Sequence, residues 1–171
     1  MTLSAAELSA RLDRILACAE RLVAAVPEPY LEHRASEGEQ TIRDLAYGIF
    51  RASLAFADGM DVGRLDERWL GEHAPPDLLD GRAVARYGAL VRGRLGGWFE
   101  GAGPGEYART IDAPGGPRTG REVLERTTAD AGRGLRRLYA LVNDLGIAPP
   151  DPLPAADLEG LPFTNRPGGA R

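Results

Sequence analysis

The sequence predicts an all-α four-helix bundle, on three observations. Four stretches, residues 4–26, 41–59, 81–99 and 119–146, repeat apolar residues at steps of three and four, which gives a helix one apolar face. Each opens at a residue whose side chain can accept from the orphan backbone donors of a first turn: Ser4, Thr41, Asp80 and Thr119. No alternating apolar–polar run is long enough to build a sheet. Amphipathic helices joined by long connections after the second and third bury those faces only against one another.

The first helix carries Ser4 and Glu7 at capping-box spacing, then Leu8, Leu12, Ile15, Leu16, Leu22 and Val23 on one stripe. Pro27 and Pro29 end it. Residues 30–40 read as polar loop, with His33 solvated. The second helix, 41–59, turns Ile42, Leu45, Ile49, Phe50, Phe56 and Met60 inward. Its Gly48 costs about 1 kcal/mol against alanine in a helix interior, so something benefits from the missing side chain. Residues 61–79 form a connection from which Trp69 and Leu70 are expected to tuck back onto the bundle. The third helix, 81–99, is weakened by Gly88, Gly93, Gly96 and Gly97, and its last turn is expected to fray. Residues 101–117 are rich in glycine and proline, with one extended piece at 107–112, and read as a crossover or a lid.

The fourth helix has the clearest punctuation. Thr119 and Glu122 make a second capping box, and Gly146 stands where a left-handed residue would stop the helix, with Pro149 and Pro150 beyond. Its apolar face lapses between Leu124 and Leu135, where Thr127, Thr128, Asp130, Ala131 and Gly134 stand instead. A core helix that turns small and polar is either packed closely by another backbone or lines a cavity. Leu158, Leu161 and Phe163 are expected to anchor the tail, and residues 166–171 to be disordered, which makes 1–165 one domain.

Composition excludes several classes of function. All 21 basic residues are arginine, so a Schiff-base or pyridoxal lysine and a phosphate-loop lysine are absent. A net charge of −4 argues against nucleic acid as partner. No apolar run is long enough to span a bilayer, which argues against a membrane, and the expected location is the cytoplasm. Cys18 is the only cysteine; it falls on the first helix's apolar face and reads as a buried, inert thiol.

Blocks spread over nearly the whole chain, TIRDLAYGIFRASLAFADGMD, LLDGRAVARYGALVRGRLGGWFE, LERTTADAGRGLRRLYALVNDLGI and LEGLPF, resemble the DinB-like superfamily of four-helix bundles. Many members of that family bind a divalent metal with one histidine on the second helix and two, four residues apart, on the fourth. They include transferases and isomerases that use mycothiol, bacillithiol or glutathione, and others resemble metal-dependent hydrolases. Laid onto this chain, the three positions are Gly48, Asp130 and Gly134. The resemblance therefore implies the fold and the place of a cavity, with no metal and with the two glycines leaving room for a substrate.

The expected site groups Asp130 and Tyr47 as catalytic side chains, Asp130 as acid or base and Tyr47 as donor to a carbonyl or enolate oxygen. Asp44, Gly48, Arg51, Thr127, Gly134 and Arg137 line the substrate, with Arg51 and Arg137 available to a carboxylate. The reading is a metal-independent enzyme acting on a small molecule by cyclisation, isomerisation or thiol addition and elimination. It requires no cofactor, and a low-molecular-weight thiol is an optional co-substrate. The arginine-only, alanine- and glycine-rich composition associates it with actinobacterial specialised metabolism. Alternatives are a non-catalytic small-molecule binder or scaffold, which includes a homodimer formed through a helix face, and a thiol-dependent transferase of the family type. A metal held by Asp44, Asp130 and His33 is a further alternative.

Overall fold

The computed structural model describes residues 2–162. Its four long helices are α1 (Ala5–Ala24), α2 (Ile42–Val62), α3 (Gly81–Gly101) and α5 (Gly120–Asp144); short helices α4 (Pro104–Ala108) and α6 (Ala155–Leu158) lie in the connection and the tail. The expected caps form. Ser4 and Glu7, and Thr119 and Glu122, close reciprocal capping boxes, while Thr41 and Asp80 accept from the backbone of Asp44 and Ala83. α2 runs past Gly59 and stops at Gly63, whose φ of 80° no β-carbon favours. The third helix does not fray after residue 99. It continues to Gly101, with Trp98 packed edge-on against both Phe99 and Phe56.

α1 packs on α3 and α5, and α2 packs on the same two helices, so α1 and α2 face each other across a diagonal. Paired residues give the directions. Gly81 at the start of α3 lies against Val23 near the end of α1, and Arg92 farther along α3 binds Asp13 and Glu20, which makes that pair antiparallel. Tyr47 meets Tyr87 and Phe56 meets Trp98, so α2 and α3 run together. Cys18 meets Tyr139, and Arg121 donates to the Leu3 carbonyl, so α1 and α5 run together. The bundle is therefore up–down–down–up. The first connection, residues 25–41, is long because it crosses a diagonal, as does that from α3 to α5, while the second returns along the bundle between parallel neighbours.

The connection before α5 differs from expectation. Its middle is not one extended piece over 107–112: Tyr107 lies in α4, and strands β1 (Thr110–Ala113) and β2 (Gly116–Thr119) pair antiparallel. Pro114 followed by Gly115 at φ 89° is the order a type II turn takes. Asp112 exchanges backbone hydrogen bonds with Gly63 and Leu65, which ties the hairpin to the end of α2. Such a ladder is too short to announce itself by alternation. In the second connection Leu70 stays 41% exposed rather than tucking in, while Trp69 lies beneath the Arg51 guanidinium. In the tail, Leu158 and Leu161 are buried, and Arg14 binds Asp157. Phe163 and residues 166–171 lie outside the described residues. Among those described, no helix is long and apolar enough to cross a membrane.

Two glycines of α3 make opposite predictions. A β-carbon on Gly81 would lie 2.2 Å from the Val23 carbonyl oxygen, against backbone that cannot swing away. Gly81→Ala is expected to lose about 2 kcal/mol by overpacking. Gly93 faces open space, so Gly93→Ala is expected to gain up to about 1 kcal/mol from helix propensity. Urea unfolding of the two variants measures both.

Candidate functional site

The two glycines singled out in the sequence do not open one common hollow. A β-carbon on Gly134 would lie 2.6 Å from Ile49 Cγ1 and 3.0 Å from its Cδ1, so Ile49 occupies the space that the missing side chain leaves. That corrects the expectation of room at this position: the lapse in the α5 face receives a hydrocarbon side chain from α2. Thr128, in the same lapse, is buried and donates to the Leu124 carbonyl at 2.8 Å. Gly48 is different. Its only near neighbour is the Gln40 amide, 3.8 Å from a built β-carbon, and Arg137 Nη1 donates to Gln40 Oε1 at 3.4 Å. Gly48 and Arg137 are thus brought together through Gln40, at a partly open edge.

Asp130 does not stand in an apolar cavity. Its side chain is 41% exposed and is ion-paired along its own helix with Arg126, at 3.8 Å, and with Arg133. Thr127 is half-buried on the same helix. Asp130 stands one turn before Gly134 and about 40° round the helix, and Arg126 and Arg133 on either side of it hold its carboxylate at the rim.

The other predicted residues gather on the side of α2 that faces α3 and the second connection. Tyr47 is buried and stacks on Tyr87, with ring centroids 5.0 Å apart and planes at 25°. Its hydroxyl donates to Glu72 Oε2 at 3.4 Å. Arg51 Nε donates to the same oxygen at 3.0 Å. The Arg51 side chain is only 13% exposed; its guanidinium sits 5.7 Å over the Trp69 ring, and Asp58 lies 3.8 Å from Nη1. That Nη1 is buried and makes no hydrogen bond. Asp44 closes the arrangement from the helix start: it accepts from the Ala74 backbone at 2.9 Å and lies 3.1 Å from His73 Nδ1.

Tyr47, Asp44 and Arg51 therefore belong to one cluster, and Asp130, Thr127 and Gly134 belong to α5 away from it. Glu72, Trp69, Tyr87 and His73 complete the cluster and are absent from the expected set. Tyr87 stands on the face of α3 that carries Val84 and Val91. The other three come from an irregular connection whose path no periodicity reports.

Burial raises the pKa of both tyrosine phenols. The Tyr47 phenol is pushed up by desolvation first and by the Glu72 carboxylate second. Tyr87 is pushed further, by desolvation and then by Tyr47. Both stay protonated donors across the physiological range.

Of the three positions that the resemblance equates with metal ligands, one carries a side chain able to donate. Gly48 and Gly134 bring no donor atom, Asp130 is engaged by arginines, and Asp44 holds the connection. Among the described residues no three His, Cys, Asp or Glu side chains gather as a metal would need. Among the described residues Asp44, Asp130 and His33 do not form such a group either.

Among solved structures the chain is similar to YjoA, a DinB-like protein of Bacillus subtilis, with a TM-score of 0.68 over 82% of this chain and 93% of that one, at 14% identity. The fold is that of a DinB-like four-helix bundle. No protein-family model and no curated protein matches the sequence.

Two predictions follow from the packing and the tyrosines. Gly134→Ala alone is expected to cost about 1–2 kcal/mol, because overpacking against Ile49 exceeds the helix gain. In an Ile49→Ala background the same change is expected to stabilise by roughly 1 kcal/mol; a double-mutant cycle in urea reads the sign reversal. Tyr47, Tyr87 and Tyr139 each ionise above the ordinary phenol value when folded. The unfolded chain then loses these protons first, so stability is intact below the unfolded phenol pKa of about 10 and falls as pH rises through the folded values. Unfolding free energies on either side of that point should fall less steeply with pH in a Tyr47→Phe, Tyr87→Phe double variant.

Proposed function

We propose that this DinB-like bundle takes a small organic molecule where residues 67–74 cover α2 and α3, and acts on it without metal ligands of its own. Tyr47 is the donor to the molecule's oxygen, Tyr87 and Trp69 supply flat apolar surface, and Arg51 fixes orientation. The observation that carries this reading is Arg51. A guanidinium with little exposure and one buried nitrogen lacking a hydrogen bond costs about 1–3 kcal/mol relative to a satisfied one. A bundle built for stability alone would place hydrocarbon there. Small-molecule sites combine such an apolar lining with a few fixed polar groups.

The reaction classes this supports are those that need a protonated donor at a developing oxyanion, such as isomerisation or cyclisation. Asp130 has no part in this reading, because its arginines hold it at the rim on another helix. The Gln40–Arg137 edge beside Gly48 lies outside the cluster.

Elemental analysis of the purified chain is expected to find less than one equivalent of transition metal. Titration of ¹⁵N-labelled protein with a small-molecule library is expected to yield binders that shift the Trp69 indole and Tyr87 amide signals. Tyr47→Phe should weaken them about threefold to tenfold, the worth of one hydrogen bond. Shifts confined to the surroundings of Asp130 and Arg137, with Tyr47→Phe indifferent, would place the site elsewhere.

A further inference from the structure

We infer that the molecule bound at this cluster carries a carboxylate, and that the Glu72 side chain holds that carboxylate's place until it arrives. The inference rests on the α2–α3 reading of the site and names the class of ligand.

The two halves of the Arg51–Glu72 pair differ in how firmly they are held. Arg51 is 13% exposed, stacked over Trp69 and projecting from the middle of a long helix. Glu72 is 40% exposed and stands on an irregular connection, next to His73 and Ala74, which Asp44 pins. The cation is preorganised and the anion is not. Glu72 also uses its donors poorly. One oxygen, Oε2, accepts from both Arg51 Nε and the Tyr47 hydroxyl, and Nη1 remains without a hydrogen bond. A free carboxylate, unconstrained by a backbone, can place both oxygens on this set, and guanidinium–carboxylate pairs are strongest when bidentate.

Charge makes the exchange competitive. Asp58 and Glu72 already face Arg51, so a third carboxylate is accommodated only as Glu72 leaves. Departure is cheap, because an ion pair with one partner this exposed contributes about 1 kcal/mol or less, and the freed carboxylate regains water. An aromatic body on the ligand would lie against Trp69 and Tyr87 as the carboxylate docks.

Benzoate, acetate and benzamide are the probes, read by the ¹⁵N signal of Arg51 Nε–H at constant ionic strength. In Glu72→Ala, benzoate is expected to bind about fivefold tighter than to the native chain, the equivalent of removing an exposed competing pair. Acetate should bind more weakly than benzoate, benzamide should not move the signal, and Arg51→Gln, read by the Trp69 indole signal, should abolish benzoate binding in both backgrounds. Glu72→Gln, which keeps the side chain's size, guards against loss of folding in the alanine variant and should also bind tighter than native. Equal benzoate affinity with and without the Glu72 carboxylate, or no saturable shift in either Glu72 variant, overturns the inference. If neutral molecules nonetheless shift Trp69 and respond to Tyr47→Phe, the cluster survives as a site and only the carboxylate is wrong.

Discussion

The structure depends on how two consecutive residues of α2 are received by the helices on either side. Ile49 enters the space above Gly134 of α5, and Phe50 enters the space above Gly88 of α3, where a β-carbon would lie 2.6 Å from the ring. Neighbouring side chains on a helix point about 100° apart, so this pair locks α2 against both partners at once. Each contact needs a glycine opposite. The helix propensity lost at those glycines, about 1 kcal/mol each against alanine, is offset by close packing of a fully buried phenylalanine and a nearly buried isoleucine.

Fixing α2 in rotation also fixes everything else it carries. With Ile49 and Phe50 inward, Tyr47 and Arg51 emerge along the α3 side, under the connection that returns to the start of α3. Asp44, one turn earlier, takes hold of that connection through Ala74. The polar cluster is therefore a consequence of the core contact: the connection brings Glu72 and Trp69 to a tyrosine and an arginine already in place. Asp130 of α5 stays out of the cluster, because Arg126 and Arg133 of its own helix pair with it at the rim.

Periodicity and punctuation were enough to locate the helices. Both capping boxes and the starts of all four long helices follow from side chains within three residues of each boundary, and a local cause of that kind is legible in a linear chain. The stop of α2 was less so. Gly59 reads as an end, yet it continues the helix, packed against Leu65 and the Arg64 carbonyl, and the left-handed residue is Gly63. The hairpin at 110–119 escaped for a similar reason. Its strands are four residues each, and its ladder is anchored to residues far earlier in the chain.

What the sequence by itself determined is the set of helices, their inward faces and the resemblance that implied a DinB-like bundle, because these rest on local spacing. What only the tertiary structure decided is the meaning of the glycines. A missing side chain is the same letter whether it leaves a cavity or admits a neighbour. At Gly134 the answer came from Ile49, many residues away in sequence and on an antiparallel helix. The cluster around Arg51 was decided in the same way, by an irregular connection whose path is set by contacts between distant residues and leaves no period to read.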